Sequence, residues 1–174
     1  MHDFHRFMRD MTHEADAGRL SKREAATRVA QYMQGVLRCA HVTFWYVSGE
    51  VGRRTMRQVV AYDGLRGKAA HSDLEFPEAG GHYFNTLLQT GCFVCGDTFA
   101  DPRLAPVRDT MLVPYNIHAL LSAAFNTNGQ AWGILTCTDN VVRKWTAAEI
   151  TALRQCAAEL SIQRLRRQEH EQLL

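Results

Sequence analysis

The chain has 174 residues, of which 46% are hydrophobic and 22% charged, with a formal net charge of +2. That is a one-domain length with apolar content enough for a core, and the nearly balanced charge gives nucleic acid or an anionic membrane no handle as the main partner. No apolar run approaches the roughly 20 residues of a spanning helix, and the polar, aromatic N-terminus lacks a secretory core, so the expected location is cytoplasmic. Five cysteines, at 39, 92, 95, 137 and 156, are odd in number and scattered, which argues for reduced thiols rather than a disulfide framework.

The first quarter reads as helical. Phe4, Phe7, Met8 and Met11 recur at helical spacing, and Gly18 can end that helix. Ser21 and Glu24 form a capping box that opens a second helix, whose apolar stripe runs through Ala25, Ala26, Val29, Ala30, Met33, Val36 and Leu37. Residues 42–47 (VTFWYV) and 55–62 are strands, separated by a glycine-bearing loop and followed by the turn Asp63-Gly64. Residues 73–76 fit a short edge strand ended by Pro77.

A short helix is expected over 83–89, with Gly91 just beyond it, then a strand over 92–95. Residues 98–106 hold two prolines and read as a structured loop, and 104–113 as one short helix. Asn128-Gly129 between the apolar runs 119–125 and 131–138 is the strongest hairpin signal in the chain. Thr146 and Glu149 form a second capping box, opening a helix that runs nearly to the C-terminus. Strands joined by hairpins and short excursions predict an antiparallel sheet in an α+β domain. One domain is expected over 1–174, divided into an N-terminal helix (1–20), a core (21–165) and the start of a signalling helix or a tail (166–174).

The order of short motifs in the second half resembles the GAF family. They are Asp97, the Asp101-Pro102-Arg103 loop, Ser122 on a strand, Gly129 in a turn, Gly133-Ile134-Leu135 on a strand, and Arg143-Lys144-Trp145-Thr146 with Glu149 at a helix start. The segment 42–64 is similar to the opening strand pair of the subgroup found ahead of histidine kinase or diguanylate cyclase domains. The resemblance covers roughly residues 22–167. It implies a central five- or six-stranded antiparallel sheet, with N- and C-terminal helices on one face and loops and short helices covering a ligand pocket on the other. It also implies a homodimer built through the terminal helices, a small-molecule ligand of unstated identity, and a downstream effector domain.

Pocket candidates are Phe44, Tyr46, Tyr62, Phe84, Asp97, Asp101, Arg103, Tyr115, His118 and Ser122. Alternation puts Phe44 and Tyr46 on one face of their strand and Trp45 on the other; one set packs under the helices and the other faces the pocket. Phe44 and Tyr46 are placed at the pocket. The Asp-Pro-Arg loop has two readings, a polar pocket wall or a staple in which Asp side chains satisfy turn amides and pair with Arg103. The stretch 76–84, with Gly80 and Gly81, is a mobile lid or a static surface loop.

Cys92 and Cys95 are three apart on a strand and so point to opposite faces, which disfavours joint chelation or a disulfide. No second pair completes a zinc set, and no metal or cofactor is expected. The chain has no Cys-His dipeptide of the bilin-attaching GAF domains, no Asn-Lys-x-x-Asp pattern of the cyclic-nucleotide subgroup, and no match to the cysteine loops of free methionine sulfoxide reductase. Haem through a lone histidine, His118 or His82, is a minor alternative.

The last helix carries one apolar stripe at Ile150, Leu153, Ala157 and Leu160 and a second, offset, at Ala158, Ile162 and Leu165. Two stripes call for two packing partners, the domain itself and a second chain. Residues 166–172 are charged with both signs. The reading is a non-catalytic sensory and dimerisation module of bacterial-type signal transduction. A ligand-free structural dimerisation domain is the alternative, followed by a reductase-type enzyme or haem sensor.

Overall fold

The computed structural model describes residues 4–72, 74–78 and 82–173. Helix α1 (Phe4–Asp16) buries Phe4, Met8 and Met11 and stops before Gly18, whose φ is +75°. Helix α2 (Lys22–Leu37) starts on the expected capping box, with both Ser21 and Glu24 bonds present. Its end is a left-handed Arg38 (φ 53°) whose N–H donates to the Gln34 carbonyl. Phe7 of α1 stacks on Tyr32 of α2 with ring centroids 4.3 Å apart.

The sheet is wholly antiparallel. Strands β1 (His41–Ser48), β2 (Thr55–Asp63), β3 (Lys68–Ala70), β4 (Glu75–Pro77), β5 (Cys92–Cys95), β6 (Ala119–Thr127) and β7 (Gln130–Asp139) lie in the order β3-β2-β1-β7-β6-β5. The short β3 and β4 share the outer edge of β2, β3 on Ala61–Asp63 and β4 on Thr55–Arg57. The α+β, GAF-like layout is therefore as expected, with seven strands among the described residues where five or six were anticipated. Strand β3 is exposed along its whole length, so no hydrophobic alternation announces it. Pro77 is the last residue of β4 and does not precede the break, because a sheet edge needs no N–H from it.

The β6–β7 hairpin turns on Asn128 (φ 55°) and Gly129 (φ 77°), the two positive φ values a type I′ turn needs. Gly133 is required by a close approach: a Cβ there would come 2.5 Å from the Phe125 ring. Helix α3 (His82–Thr90) follows β4, and helix α4 (Ala147–Leu173) follows β7.

Helices α1, α2 and α4 cover one face of the sheet. Val42 and Phe44 of β1, Leu121, Ala123 and Phe125 of β6, and Leu135 and Cys137 of β7 pack there with Met33, Leu153, Cys156 and Leu160. A second core lies on the other face, where Trp45, Leu120, Ala124 and Ile134 meet Tyr83, Phe84 and Leu87 of α3 and Leu104 and Leu112.

Arg143 ties these layers together. Its guanidinium donates to Asp139 at the end of β7 (3.0 Å), to the Leu37 carbonyl at the end of α2 (2.6 Å), and to Glu149 in the first turn of α4. It also lies 4.3 Å over the Trp145 ring, and the Trp145 indole donates to the Cys95 carbonyl. Thr146 and Glu149 complete the second capping box.

Leu153 has no exposed surface and sits between α4 and the sheet. Leu153→Ala is expected to lower unfolding stability by about 2–5 kcal/mol, the range for truncating a buried leucine. Urea denaturation checks this; a change within about 0.5 kcal/mol, as for a surface substitution, contradicts the placement of α4.

Candidate functional site

The face of the sheet opposite the terminal helices holds a cavity of about 530 Å³. That size lies in the range that encloses a small organic ligand. Its floor is the β1–β7 ladder. His41 pairs across with Thr138, and Thr43 with Thr136; Trp45 stands next along β1. Met56 and Gln58 of β2 extend the floor. The roof consists of Leu74 and Phe76, Tyr83 of α3, and Met111, Tyr115 and Ile117.

The roof owes its shape to irregular backbone. The single helix expected over 104–113 is two pieces, a 3-10 stretch at Pro102–Val107 and one π turn at Arg108–Leu112. Pro106 sits inside the first piece, and its missing N–H breaks a regular α-helical ladder. Asn116 (φ 51°) then reverses the chain, and the Ile117 N–H closes on the Leu112 carbonyl.

Among the described residues, no Lys, Arg, Asp or Glu lines this cavity. Of its polar residues, Trp45, Tyr83, Thr136 and Thr138 are buried, His41, Thr43 and Gln58 are half-buried, and Ser72 and Tyr115 are exposed. Tyr83 Oη and Ser122 Oγ share a hydrogen bond of 2.8 Å. Burial pushes the Tyr83 phenol up, while the hydroxyls of Ser122 and Thr136 pull the other way. In two of the wall residues a polar atom is buried: Trp45 Nε1 has no hydrogen-bond partner among the described residues, and Thr136 Oγ1, whose hydroxyl acts on the Tyr83 phenol, makes no bond of full geometry. Orphaned buried polar atoms are uncommon in folded proteins, because each forfeits its hydration without return.

The expected site residues divide. Tyr115 lines the cavity at its mouth, 49% exposed, and Ser122 borders it through Tyr83. The placement of Phe44 and Tyr46 at this pocket is corrected. Both point under the helices, where Phe44 packs against Tyr46 and Phe125, and they line a smaller cavity of about 230 Å³ beneath α1. Tyr62 is on that helix side as well. Phe84 is buried in the core under α3 and is not on the cavity wall.

Asp97 is exposed on the turn after β5. Asp101 and Arg103 form the staple. The Asp101 carboxylate accepts from the Arg103 backbone N–H (2.9 Å) and from Nε and Nη2 of the same residue, which holds its pKa down to about 2. Arg103 lies 4.3 Å over the Phe93 ring. His118 Nε2 donates to Asn116 Oδ1 (3.0 Å), and its ring packs on Phe99; it is not on the cavity wall. On α4, Leu153, Ala157 and Leu160 are buried and Ile162 is 42% exposed; the Leu165 and His82 side chains lie outside the described residues, as do Gly80 and Gly81 of the expected lid.

Thr43, Trp45, Gln58, Tyr83, Met111, Thr136 and Thr138 were not among the candidates. A signal for them existed: Thr43 in VTFWYV and Thr136 and Thr138 in ILTCTD are polar positions in phase with one face of otherwise apolar strands. All five cysteines are free and buried, and none lines the cavity. Cys92 and Cys95 belong to cores on opposite faces, and burial pushes the Cys95 thiol up to about 11. Among the described residues, no group of three or more His, Cys, Asp or Glu is arranged to hold a metal ion, and no helix is long and apolar enough to cross a membrane.

One charged clamp stands beside the roof. Glu78, next after β4, accepts from the backbone N–H groups of Gly52 and Arg54 and from the Arg54 guanidinium at 2.7 Å.

The sequence model of the GAF domain family matches residues 22–163. No curated protein matches the sequence. Among solved structures, a GAF domain of a cyanobacterial phytochrome with bound phycocyanobilin superposes with a TM-score of 0.74 at 12% identity, over 95% of this chain and 96% of that one. A domain of a two-component sensor histidine kinase protein from Sinorhizobium meliloti gives 0.59 at 20% identity, over 87% and 98%. The free methionine-R-sulfoxide reductase of Neisseria meningitidis, solved with its substrate, gives 0.65 at 12% identity, over 93% and 89%. At these identities the likeness is one of fold.

The Arg54 guanidinium beside Glu78 holds its carboxyl down, from 4.5 to about 2. A depressed carboxyl contributes stability that is fully present above its unfolded pKa and is lost as pH falls through the folded one. Melting temperature is therefore expected to drop between about pH 4.5 and pH 2, and Glu78→Gln to make that drop shallower. Thermal melts of both proteins across this range check it; superimposable pH profiles contradict it.

Proposed function

The chain belongs to the GAF domain family, and from that premise we propose that it is a sensory, non-catalytic module that binds a small molecule in the cavity over β1 and β7. The observation that carries this reading is the roofed space of about 530 Å³, one of whose floor residues, Trp45, has a buried indole N–H with no partner among the described residues. Its fold neighbours include a sensor histidine kinase domain and a bilin-bound phytochrome domain, which favours a role in signal transduction.

The route from ligand to output follows from the strands. Trp45 faces the cavity, and its chain neighbours Phe44 and Tyr46 face the helices. A ligand that tightens or spreads the β1–β7 floor changes the surface on which α1, α2 and α4 rest. It shifts the helices only by as much as it binds one arrangement better than the other. The output is a homodimer in which exposed Ile162, on the free face of α4, meets its counterpart, with the helix leading to an effector domain in the cytoplasm. A ligand-free dimerisation domain is the second reading, favoured by the exposed Ile162 alone. The reductase reading has less support, because no thiol reaches the cavity.

Native mass spectrometry of protein purified gently from its own cells tests this. A dimer carrying one small molecule per chain is the expected result, and Leu74→Trp, which fills the roof, is expected to lose the molecule. A ligand-free dimer supports the structural reading in its place. Ile162→Asp is expected to convert the dimer to monomer in analytical ultracentrifugation; an unchanged dimer places the interface elsewhere.

A further inference from the structure

Resting on that reading, we infer the chemical class of the ligand: an uncharged, mainly apolar, ring-bearing molecule with a hydrogen-bond acceptor seated against Trp45 Nε1. Four features of the cavity converge on this.

The first is charge. The described wall contains no Lys or Arg to neutralise a phosphate or carboxylate, and no Asp or Glu to meet a cation. The ring of His41, at one end of the floor, is occupied with its own neighbour, the Asp63 carboxylate, at 3.7 Å. Desolvating an ionic ligand here would go uncompensated.

The second is the pair of buried polar atoms. An indole N–H can only donate. Trp45 is 5% exposed, its ring packs on Phe76 at 5.6 Å between centroids, and its indole finds no acceptor among the described residues. The other two tryptophans do find one: Trp132 donates to Thr127 Oγ1 and Trp145 to the Cys95 carbonyl. Thr136 Oγ1, also buried and short of a full hydrogen bond, can donate or accept from the same floor. A ligand carbonyl or ring nitrogen answers the first, and a second polar group or a shared acceptor answers the other.

The third is the hydroxyl row. The antiparallel register aligns Ser122, Thr136 and Thr43 across β6, β7 and β1, with the Tyr83 phenol bonded to Ser122. Neutral hydroxyls in a row suit a flat molecule with hydrogen-bonding groups along one edge. The fourth is the apolar wall. Met56, Met111, Phe76, Leu74 and Ile117 surround that row, and methionines adapt to the shape of an aromatic ring.

Prodan, a neutral naphthyl ketone whose emission reports polarity and hydrogen bonding, is a suitable probe, with 8-anilinonaphthalene-1-sulfonate and cyclic GMP as anionic counterparts. The purified ligand-free chain is expected to bind one prodan with blue-shifted emission, in preference to both anions. Trp45→Phe keeps an aromatic ring, though a smaller one, and removes the donor. It is expected to weaken prodan about fivefold, the effect of one neutral hydrogen bond, and to leave 2-dimethylaminonaphthalene, which lacks the ketone, unchanged. Thr136→Val, nearly isosteric, gives an independent second variant.

Equal loss of both naphthalenes on Trp45→Phe overturns the acceptor assignment. Tighter binding of either anion, abolished by Leu74→Trp, overturns the ligand class and leaves the sensory site standing. Binding of no probe that Leu74→Trp can block overturns the site along with the class.

Discussion

The β1–β7 ladder is the constraint on which both halves of the molecule depend. Its register sets Thr43 opposite Thr136 and Phe44 opposite Leu135. A period of two then sends the first pair to the cavity and the second to the helices. A slip of one residue would bury the hydroxyls under α4 and present Phe44 to the cavity. The Asn128-Gly129 turn fixes β7 against β6, and at Gly133 a Cβ would meet the Phe125 ring on β6 at 2.5 Å and the Trp45 carbonyl on β1 at 3.3 Å, so β7 seats closely on both neighbours there. One pair of strands is thus at once the floor of the site and the bed of the helices that would carry its signal.

The two ends of the helical layer are fixed with different strength. Near the start of α4, Arg143 joins β7, α2 and α4 in one half-buried network, and Trp145 reaches across to β5. Farther along, Ser161 bonds the end of β6 through Asn126 and Thr127, and Ile162 is exposed. Breaking one member of a buried network leaves its partners uncompensated. Movement of α4 against the sheet is therefore cheaper at its Ser161 end, held by two neutral hydrogen bonds and the Arg164 contact with the Trp132 ring, than at its charged start, which suits a helix anchored more firmly at one end and read at the other.

Local chemistry made much of this fold legible in the sequence. Both capping boxes, the Asn-Gly hairpin, the four main strands and the opposite faces of Cys92 and Cys95 rest on short-range rules, and the structure has all of them. The orientation of the central strand was not legible. Alternation separates Phe44 and Tyr46 from Trp45, but which set lies under helices depends on where α1, α2 and α4 dock, and aromatic residues suit either face. The informative residues were the less conspicuous threonines, whose hydroxyls mark the face that is not all core. Strand β3, exposed throughout, and the π turn after Pro106 carry no periodic pattern. The Asp101–Arg103 pair, prominent as a motif, is satisfied within its own loop and leaves little for a ligand.

The most direct test of the central claim is the indole N–H signal of Trp45 in a nitrogen-15 NMR spectrum of the ligand-stripped chain, before and after adding the small-molecule fraction of its own cell extract. Of the three indoles, this is the one with no acceptor among the described residues. The account predicts that its cross-peak moves downfield while those of Trp132 and Trp145 stay in place. A Trp45 signal that does not respond, while either of the others does, would contradict it.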